Sequence, residues 1–236
     1  MQDINMKQKN KRLIVISALA IVIAVTCIIC YFIFKEDEAY KLDVELYETE
    51  SIPLGSGLVI TDIGKYTGIF VEDGSDEPVS GIMMIILKNI SGKDLQYGEI
   101  YVEYPSHTAE FTVSNLPNNG SVVLLEKNKK KPTQKELLSA RYENCVFFAS
   151  AMDTMEETFE ISGNNGAMNV KNISQTDIDS PIEVYYKNSS TSLFYGGITY
   201  KITIPTGVKA GKMAQLYSPH YDLSNCKVVD IVIKEN

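Results

Sequence analysis

The stretch Leu87-Lys88-Asn89-Ile90-Ser91-Gly92-Lys93-Asp94-Leu95 recurs as Val170-Lys171-Asn172-Ile173-Ser174-Gln175-Thr176-Asp177-Ile178, 83 positions further along the chain. Ile100–Tyr104 and Ile182–Tyr186 then match, and an Asn-Cys pair opens a closing apolar segment in each copy, at Cys145 and Cys226. Self-similarity at a fixed spacing is typical of two copies of one supersecondary unit. We therefore expect two similar units in tandem.

Apolar and polar residues alternate inside each copy. The clearest segments are Glu99–Tyr104, Thr108–Val113, Ile182–Lys187 and Tyr200–Ile204. Period-two alternation predicts half-buried strands, and turn signals about every ten residues are typical of an antiparallel sandwich. The sequence predicts an all-β fold, with a first β-sandwich repeat at 66–150 and a second at 151–236. The first repeat is expected to recruit strands from 40–48 and 57–63.

One short segment has a helical pattern. Thr133–Arg141 follows Pro132 and begins with the capping-box residues Thr133 and Glu136. We expect a short helix there, connecting two strands.

Leu13–Phe34 is a run of 22 residues without a charge, long enough to cross a bilayer as one helix. Residues 1–12 carry a net charge of +3, because Lys7, Lys9, Lys11 and Arg12 oppose Asp3, which leaves 18 basic and 29 acidic residues in the remainder. The positive-inside rule then predicts a cytoplasmic tail at 1–12, a transmembrane helix at 13–34 and a stalk at 35–65. A cleaved signal peptide is the alternative, but its apolar region is normally only about 7–15 residues long. We expect an uncleaved signal anchor in the cell membrane that contacts lipid, with the C-terminal domains extracellular.

The Lys-Asn-Ile-Ser turns at 88–91 and 171–174 and the Leu-Pro-x-x-Gly turn at 116–120 carry a family resemblance. Their layout resembles the small immunoglobulin-like domains of surface-anchored bacterial proteins, including those called FxLYD domains. The whole chain is similar to membrane-anchored proteins of Gram-positive anaerobes. This resemblance implies two tandem Ig-like domains outside the cell and implies no particular activity.

The composition offers little material for chemistry. The net charge of −8 weighs against a nucleic-acid binder, which would present a basic face. His107 and His220 lie in predicted turns without a nucleophile elbow, so we expect no catalytic residues, no cofactor and no metal site. Glu72–Glu77 could attract calcium, but it lacks EF-hand spacing and is better interpreted as a solvated hairpin tip. An enzyme stays the third option and requires a pocket that joins one histidine to a carboxylate.

Two surface features are candidates for partner binding. The first is basic and comprises Lys129, Lys130 and Lys131; the second is aromatic and comprises Tyr185, Phe194 and Tyr195. The sequence predicts a non-catalytic interaction or scaffold protein, an accessory subunit of a cell-envelope assembly with an envelope protein as its partner. The alternative is a module that binds cell-wall carbohydrate or a polyanion through these residues. Cys145 and Cys226 are expected to be buried free thiols.

Overall fold

The computed structural model describes residues 43–47, 50–132, 139–164, 166–190 and 193–234. These residues form strands and turns, and none of them is helical. The strands are β1 Asp43–Leu46, β2 Ile52–Gly55, β3 Leu58–Phe70, β4 Glu77–Asn89, β5 Leu95–Glu103, β6 Thr108–Leu116, β7 Ser121–Leu125, β8 Ser139–Phe147, β9 Phe159–Asn164, β10 Ala167–Asn172, β11 Ile182–Ser190, β12 Leu193–Ile204, β13 Met213–Tyr217 and β14 Cys226–Ile233.

The all-β prediction is confirmed, and the segments expected to be strands fall within β5, β6, β11 and β12. Strands β1 and β2 and the first part of β3 lie upstream of residue 66, and β1 and β2 both pair with β3. The predicted tail at 1–12 and the membrane helix at 13–34 lie outside the described residues. Within the described part, from Asp43 onward, no helix has the length and hydrophobicity needed to span a bilayer.

The expected helix at Thr133–Arg141 needs a correction at its C-terminal end. Residues 133–138 lie outside the described residues, but Ser139, Ala140 and Arg141 open strand β8 and pair with β5. The helical pattern therefore does not extend to Arg141. Strand pairing across β5 decides the backbone conformation of these three residues, because it satisfies backbone groups that a short, isolated helix would leave exposed.

The first half, residues 43–150, is built from two layers. Strands β3, β4 and β7 form part of one sheet, and β6, β5 and β8 form a second, three-stranded sheet. Alternate apolar residues of both sheets are buried against one another, including Ile85, Ile100, Phe111 and Leu124. Period-two alternation places these side chains on the inner faces of the layers.

The second half, residues 151–234, repeats this arrangement. Strands β9, β10 and β13 form one sheet, and β12, β11 and β14 pair in the same order as β6, β5 and β8. Its own core lies between these layers and includes Met168, Val184, Tyr186 and Ile231. Each half is therefore a small two-layered β-sandwich with the same strand order.

The two halves share one sheet. Leu193–Tyr195 of β12 pairs in parallel with Ser121–Val123 of β7, so the eight-stranded sheet has the path β1-β3-β4-β7-β12-β11-β14, with β2 paired to β3. Asp43–Asn236 accordingly forms one compact unit. The boundary near residue 150 separates the smaller sheets, whereas the large sheet crosses it.

The repeated Lys-Asn-Ile-Ser motif holds each half together from inside. Asn89 is fully buried; its side-chain amide donates to the carbonyls of Lys93 and Leu116, and its Oδ1 accepts from Ser91. Asn172 does the same 83 positions later, donating to Thr176 and Val208 and accepting from Ser174. The two asparagines satisfy backbone groups of the turns that they join, which explains why the motif recurs.

Candidate functional site at the junction between the halves

The junction forms where the hairpin of β11 and β12 reaches the first half. Phe194 pairs with Val122 and is only 6% exposed, because it enters the core of the first half. Tyr195 donates from its hydroxyl to the carbonyl of Ile69 at 3.0 Å. Gly197 lies so close to β6 that a β-carbon there would collide with the carbonyl of Thr112. The second half is thus inserted into the first through several kinds of contact.

Glu72 lies at the centre of this junction, although it belongs to the acidic segment predicted to be a solvated tip. Part of the residue stays exposed, but its carboxylate is enclosed by protein. Leu125 N–H donates to Oε1 at 2.8 Å and Gly197 N–H donates to Oε2 at 2.7 Å. One carboxylate therefore bridges β7 of the first half and β12 of the second, and for Glu72 the expectation of a solvated tip is wrong.

Lys187 is the second charged group of the junction, and it is completely buried. Its Nζ donates to three carbonyl oxygens, those of Ser114 at 3.0 Å, Gly197 at 3.0 Å and Ile198 at 2.7 Å. A fourth acceptor, Thr199 Oγ1, lies at 3.3 Å. Because these acceptors come from β6 of the first half and β12 of the second, the ammonium ties the two halves together.

The junction brings two opposite charges into a poorly solvated environment. Burial raises the pKa of the Glu72 carboxyl above its ordinary value, and burial lowers the pKa of the Lys187 ammonium below its ordinary value. Each charge partly offsets the effect of burial on the other. An ammonium has three N–H donors for the four acceptors around Nζ, and a carboxylate accepts at both oxygens, so the hydrogen-bond geometry is that of the ionised pair. These hydrogen bonds fix the orientation of one half relative to the other, because both charges bind backbone groups inside the junction.

The basic candidate residues are largely occupied within the chain. Lys129 lies 4.5 Å from the ring centroid of Phe70 and forms an ion pair with Glu77 at 3.4 Å. Lys130 donates to the carbonyl of Thr108 at 2.8 Å and lies 4.0 Å from the buried carboxylate of Glu126. Lys131 is exposed. The structure therefore does not present the three lysines as one open cationic surface.

The aromatic candidates are brought together at the junction, on its inner side. Phe194 is buried, and Tyr195 packs against Tyr66 with ring centroids 5.6 Å apart. Tyr185 is half-buried and donates from its hydroxyl to Glu183 at 2.6 Å. Burial and this carboxylate raise the pKa of the Tyr185 hydroxyl to about 12. These three rings join the halves, and little of their surface faces solvent.

The histidines are placed in two separate environments. His107 stacks on Tyr104 and lies 3.0 Å from the hydroxyl of Ser106. His220 stacks on Tyr200, and its Nδ1 lies 3.2 Å from Asp76 of the first half. The Asp76–His220 pair adds a further contact between the halves. Within the described ranges, no group of three or more His, Cys, Asp or Glu side chains is arranged to hold a metal ion.

A cleft of about 550 Å³ opens beside the junction and is lined by Asp94, Asp153, Glu156 and Lys227, among others. Two of its carboxylates, those of Asp94 and Asp153, already accept backbone hydrogen bonds. Asp94 accepts from Met152 N–H at 2.6 Å, and the nearby Asp230 accepts from Asp153 N–H at 3.0 Å. These bonds fix the segment that connects the two halves. The cleft therefore lies beside the connecting segment, and the carboxylates of Asp94 and Asp153 hold backbone there.

Cys145 and Cys226 are unpaired, as predicted, and each is half-buried where full burial was expected. Burial raises the pKa of each thiol to about 11, so the reactive thiolate is scarce at neutral pH. Both thiols act as small packing groups against the cores of their own halves.

Sequence reasoning missed Glu72 and Lys187 as members of a site. In β11 the alternation that buries Val184 and Tyr186 should turn Lys187 outward. Register shifts on both sides of Tyr186 instead bury two consecutive residues, Tyr186 and Lys187. The only signal in the sequence was the acidic residue Glu72 directly after the apolar end of a strand.

Comparison with known proteins found no relative of this chain. No protein-family model, no curated protein and no solved structure matches it.

Proposed function

We propose that this chain is a membrane-anchored, extracytoplasmic and non-catalytic scaffold that holds a partner protein in the cell envelope. Two immunoglobulin-like sandwiches in tandem would form its outer part, and the apolar segment 13–34 would be its anchor. The observation that carries this proposal is the junction, in which Glu72 and Lys187 fix one half against the other through backbone groups of both. A scaffold gains from such a junction, since surfaces held in one orientation lose less entropy on binding.

The charged pair supports a role in orientation more than a role in stability. Two buried opposite charges are often no more stabilising than apolar residues of similar volume, while they restrict the arrangements that satisfy them. Lys187 has acceptors in β6 and β12, and Glu72 has donors in β7 and β12. Few relative placements of the halves satisfy all of these groups, which favours a body of defined shape.

A cell-wall polyanion binder is the alternative, and it draws less support from the basic residues. Lys129 and Lys130 contact Glu77 and Glu126 within the chain. The exposed lysines Lys127 and Lys131 are the ones that remain for this alternative.

Cross-linking in intact membranes, followed by recovery of the tagged full-length chain, distinguishes the two functions. A scaffold is expected to recover a second envelope protein, with equal yield from wild type and from Lys127→Glu/Lys131→Glu. Lys88→Glu, which changes another exposed lysine, is the matched control. Recovery of wall polymer alone, lost in the double variant and kept in Lys88→Glu, would contradict the scaffold and support the polyanion binder.

The proposed location has its own test. Protease added to intact cells should remove the C-terminal domains and spare the N-terminal tail. Protection of the domains until the membrane is opened would contradict the proposed orientation.

A further inference from the structure

Strand β13 of the second half is the structural equivalent of β7 in the first half. Both strands follow the turn that the buried asparagine holds. Each pairs antiparallel with the strand that ends in that asparagine, and Lys88 pairs with Ser121 as Lys171 pairs with Met213. Val123 and Leu125 of β7 therefore correspond to Gln215 and Tyr217 of β13.

The two strands differ in what covers them. The second edge of β7 is paired with β12, and Val123 and Leu125 are each 1% exposed. Strand β13 is the last strand of its sheet among the described residues. Its residues Met213 and Tyr217 are 56% and 78% exposed. Among the described strands, this edge is thus filled in the first half and open in the second.

The open edge also lacks the usual protection against strand pairing. Natural edge strands carry charges, proline or bulges that discourage a neighbour. Such residues occur in the other described edge strands, for example Asp43 in β1, Pro53 in β2 and Arg141 in β8. The sequence Met213-Ala-Gln-Leu-Tyr217 contains neither a charge nor a proline.

We propose that β13 pairs antiparallel with β13 of a second copy of this chain, about a two-fold axis at Gln215. The arrangement is self-complementary, as an isologous interface requires. Met213 of one copy would lie opposite Tyr217 of the other, a sulfur–aromatic pairing. Lys212 would lie opposite Ser218, so no like charges meet. Pairing would join two three-stranded sheets into one of six strands.

A second copy fits this edge better than a charged partner segment does. An uncharged strand supplies no opposite charge to select a foreign partner, and pairing with itself places neutral residues against neutral residues. In the first half, the equivalent edge already accepts a strand of this same chain, through the uncharged residues Leu193, Phe194 and Tyr195. The inference does not depend on the envelope partner, because it concerns contact between two copies.

Cysteine cross-linking of the full-length chain in membranes tests this pairing directly. Gln215→Cys would place two thiols at the two-fold axis, where directly opposed β-carbons lie about 4.5–5.5 Å apart, close to the separation that a disulfide needs. Asn169→Cys is the matched control because Asn169 is the register partner of Gln215 on β10. Its two thiols would be separated by three strand spacings, about 14 Å. Wild type under the same oxidant gives the baseline from the native cysteines.

The expected result is a disulfide-linked dimer for Gln215→Cys and only the baseline for Asn169→Cys. In a second measurement, Gln215→Lys places two like charges at the axis and should abolish the dimer that wild type forms on chemical cross-linking. Equal cross-linking of both cysteine variants would overturn the proposal. An adduct of Gln215→Cys with a different protein would also overturn it, as would a wild-type dimer that persists in Gln215→Lys.

Discussion

Replacing Lys187 with methionine tests the physical account of the junction most sharply. The change keeps the length of the buried side chain and removes its charge. The carbonyls of Ser114 and Gly197 keep other donors, Thr199 Oγ1 at 3.1 Å and Ser114 Oγ at 3.0 Å, whereas the carbonyl of Ile198 loses the donor that Lys187 provides at 2.7 Å. The losses are therefore this hydrogen bond, which does not depend on pH, and the cation near the carboxylate of Glu72, which burial disfavours in its charged form.

The magnitude follows from the proton that Glu72 must then take up. In the variant the folded state holds Glu72 neutral, whereas the unfolded chain ionises it with a pKa near 4.5. At 1.36 kcal/mol for each pH unit above that pKa, the penalty is at most about 4.8 kcal/mol at pH 8 and about 0.7 kcal/mol at pH 5. The sign is that of a raised pKa. The folded state binds more protons than the unfolded chain, so the stability of the variant falls as pH rises.

Urea unfolding of the full-length chain, followed by the near-ultraviolet circular dichroism of its tyrosines, measures this difference. We expect Lys187→Met to lose at least about 3 kcal/mol at pH 8 and clearly less at pH 5, where the lost Ile198 hydrogen bond, at about 1–3 kcal/mol, is the larger part of the cost. Glu72→Gln/Lys187→Met should lose this pH dependence because the titrating group is gone. Lys201→Met is the control, since Lys201 is about half exposed and Lys234 keeps its partner Glu183 paired. Its cost should be below about 1 kcal/mol. A penalty for Lys187→Met that is small, or equal at both pH values, would refute the reasoning.

Three further predictions concern groups outside the junction. Asn89→Ala and Asn172→Ala should each lower the free energy of unfolding by about 2–4 kcal/mol, because each change leaves buried backbone groups without a hydrogen-bond partner. Urea midpoints measure this loss, and a stability equal to that of wild type would contradict it. Three hydrogen-bond donors lower the pKa of Glu183 to about 2, so its stabilisation is present above its ordinary pKa of 4.5 and is lost as pH falls from there toward 2. Glu183→Gln should therefore reduce, by about 1–2 kcal/mol, the unfolding free energy that is lost as the pH falls through this range. An acid-unfolding profile identical to that of wild type would argue against the assigned contacts. Cys145 and Cys226 should react with a thiol reagent much more slowly at pH 7 than free cysteine, and rapid labelling of the folded chain would contradict their burial.

The layered fold was predictable because its signals are local. Period-two alternation identified β5, β6, β11 and β12, and the repeated Asn-Ile-Ser motif marked a turn that recurs with the same hydrogen bonds around Asn89 and Asn172. Such features depend on residues that are near one another in the chain, so one sequence contains them.

The junction could not be predicted for the opposite reason. Whether β12 would pair with β7 depends on the length of the hairpin arm at Leu193–Tyr195 and on where the second half can reach. The burial of Lys187 depends on a shift in strand register, which alternation alone cannot locate. The aromatic candidates Phe194 and Tyr195 are neighbours in the sequence, but this proximity could not indicate that they face inward.

Hydrogen exchange of the native full-length chain tests most directly whether the two halves form one body. Amides of β5 in the first half and of β11 in the second should exchange with the same free energy and the same dependence on urea, because the shared sheet and the junction make them open together. In Lys187→Met at pH 8, the amides of β11 should lose protection before those of β5. A wild-type chain in which the second half opens alone, several kcal/mol below the first, would contradict the account.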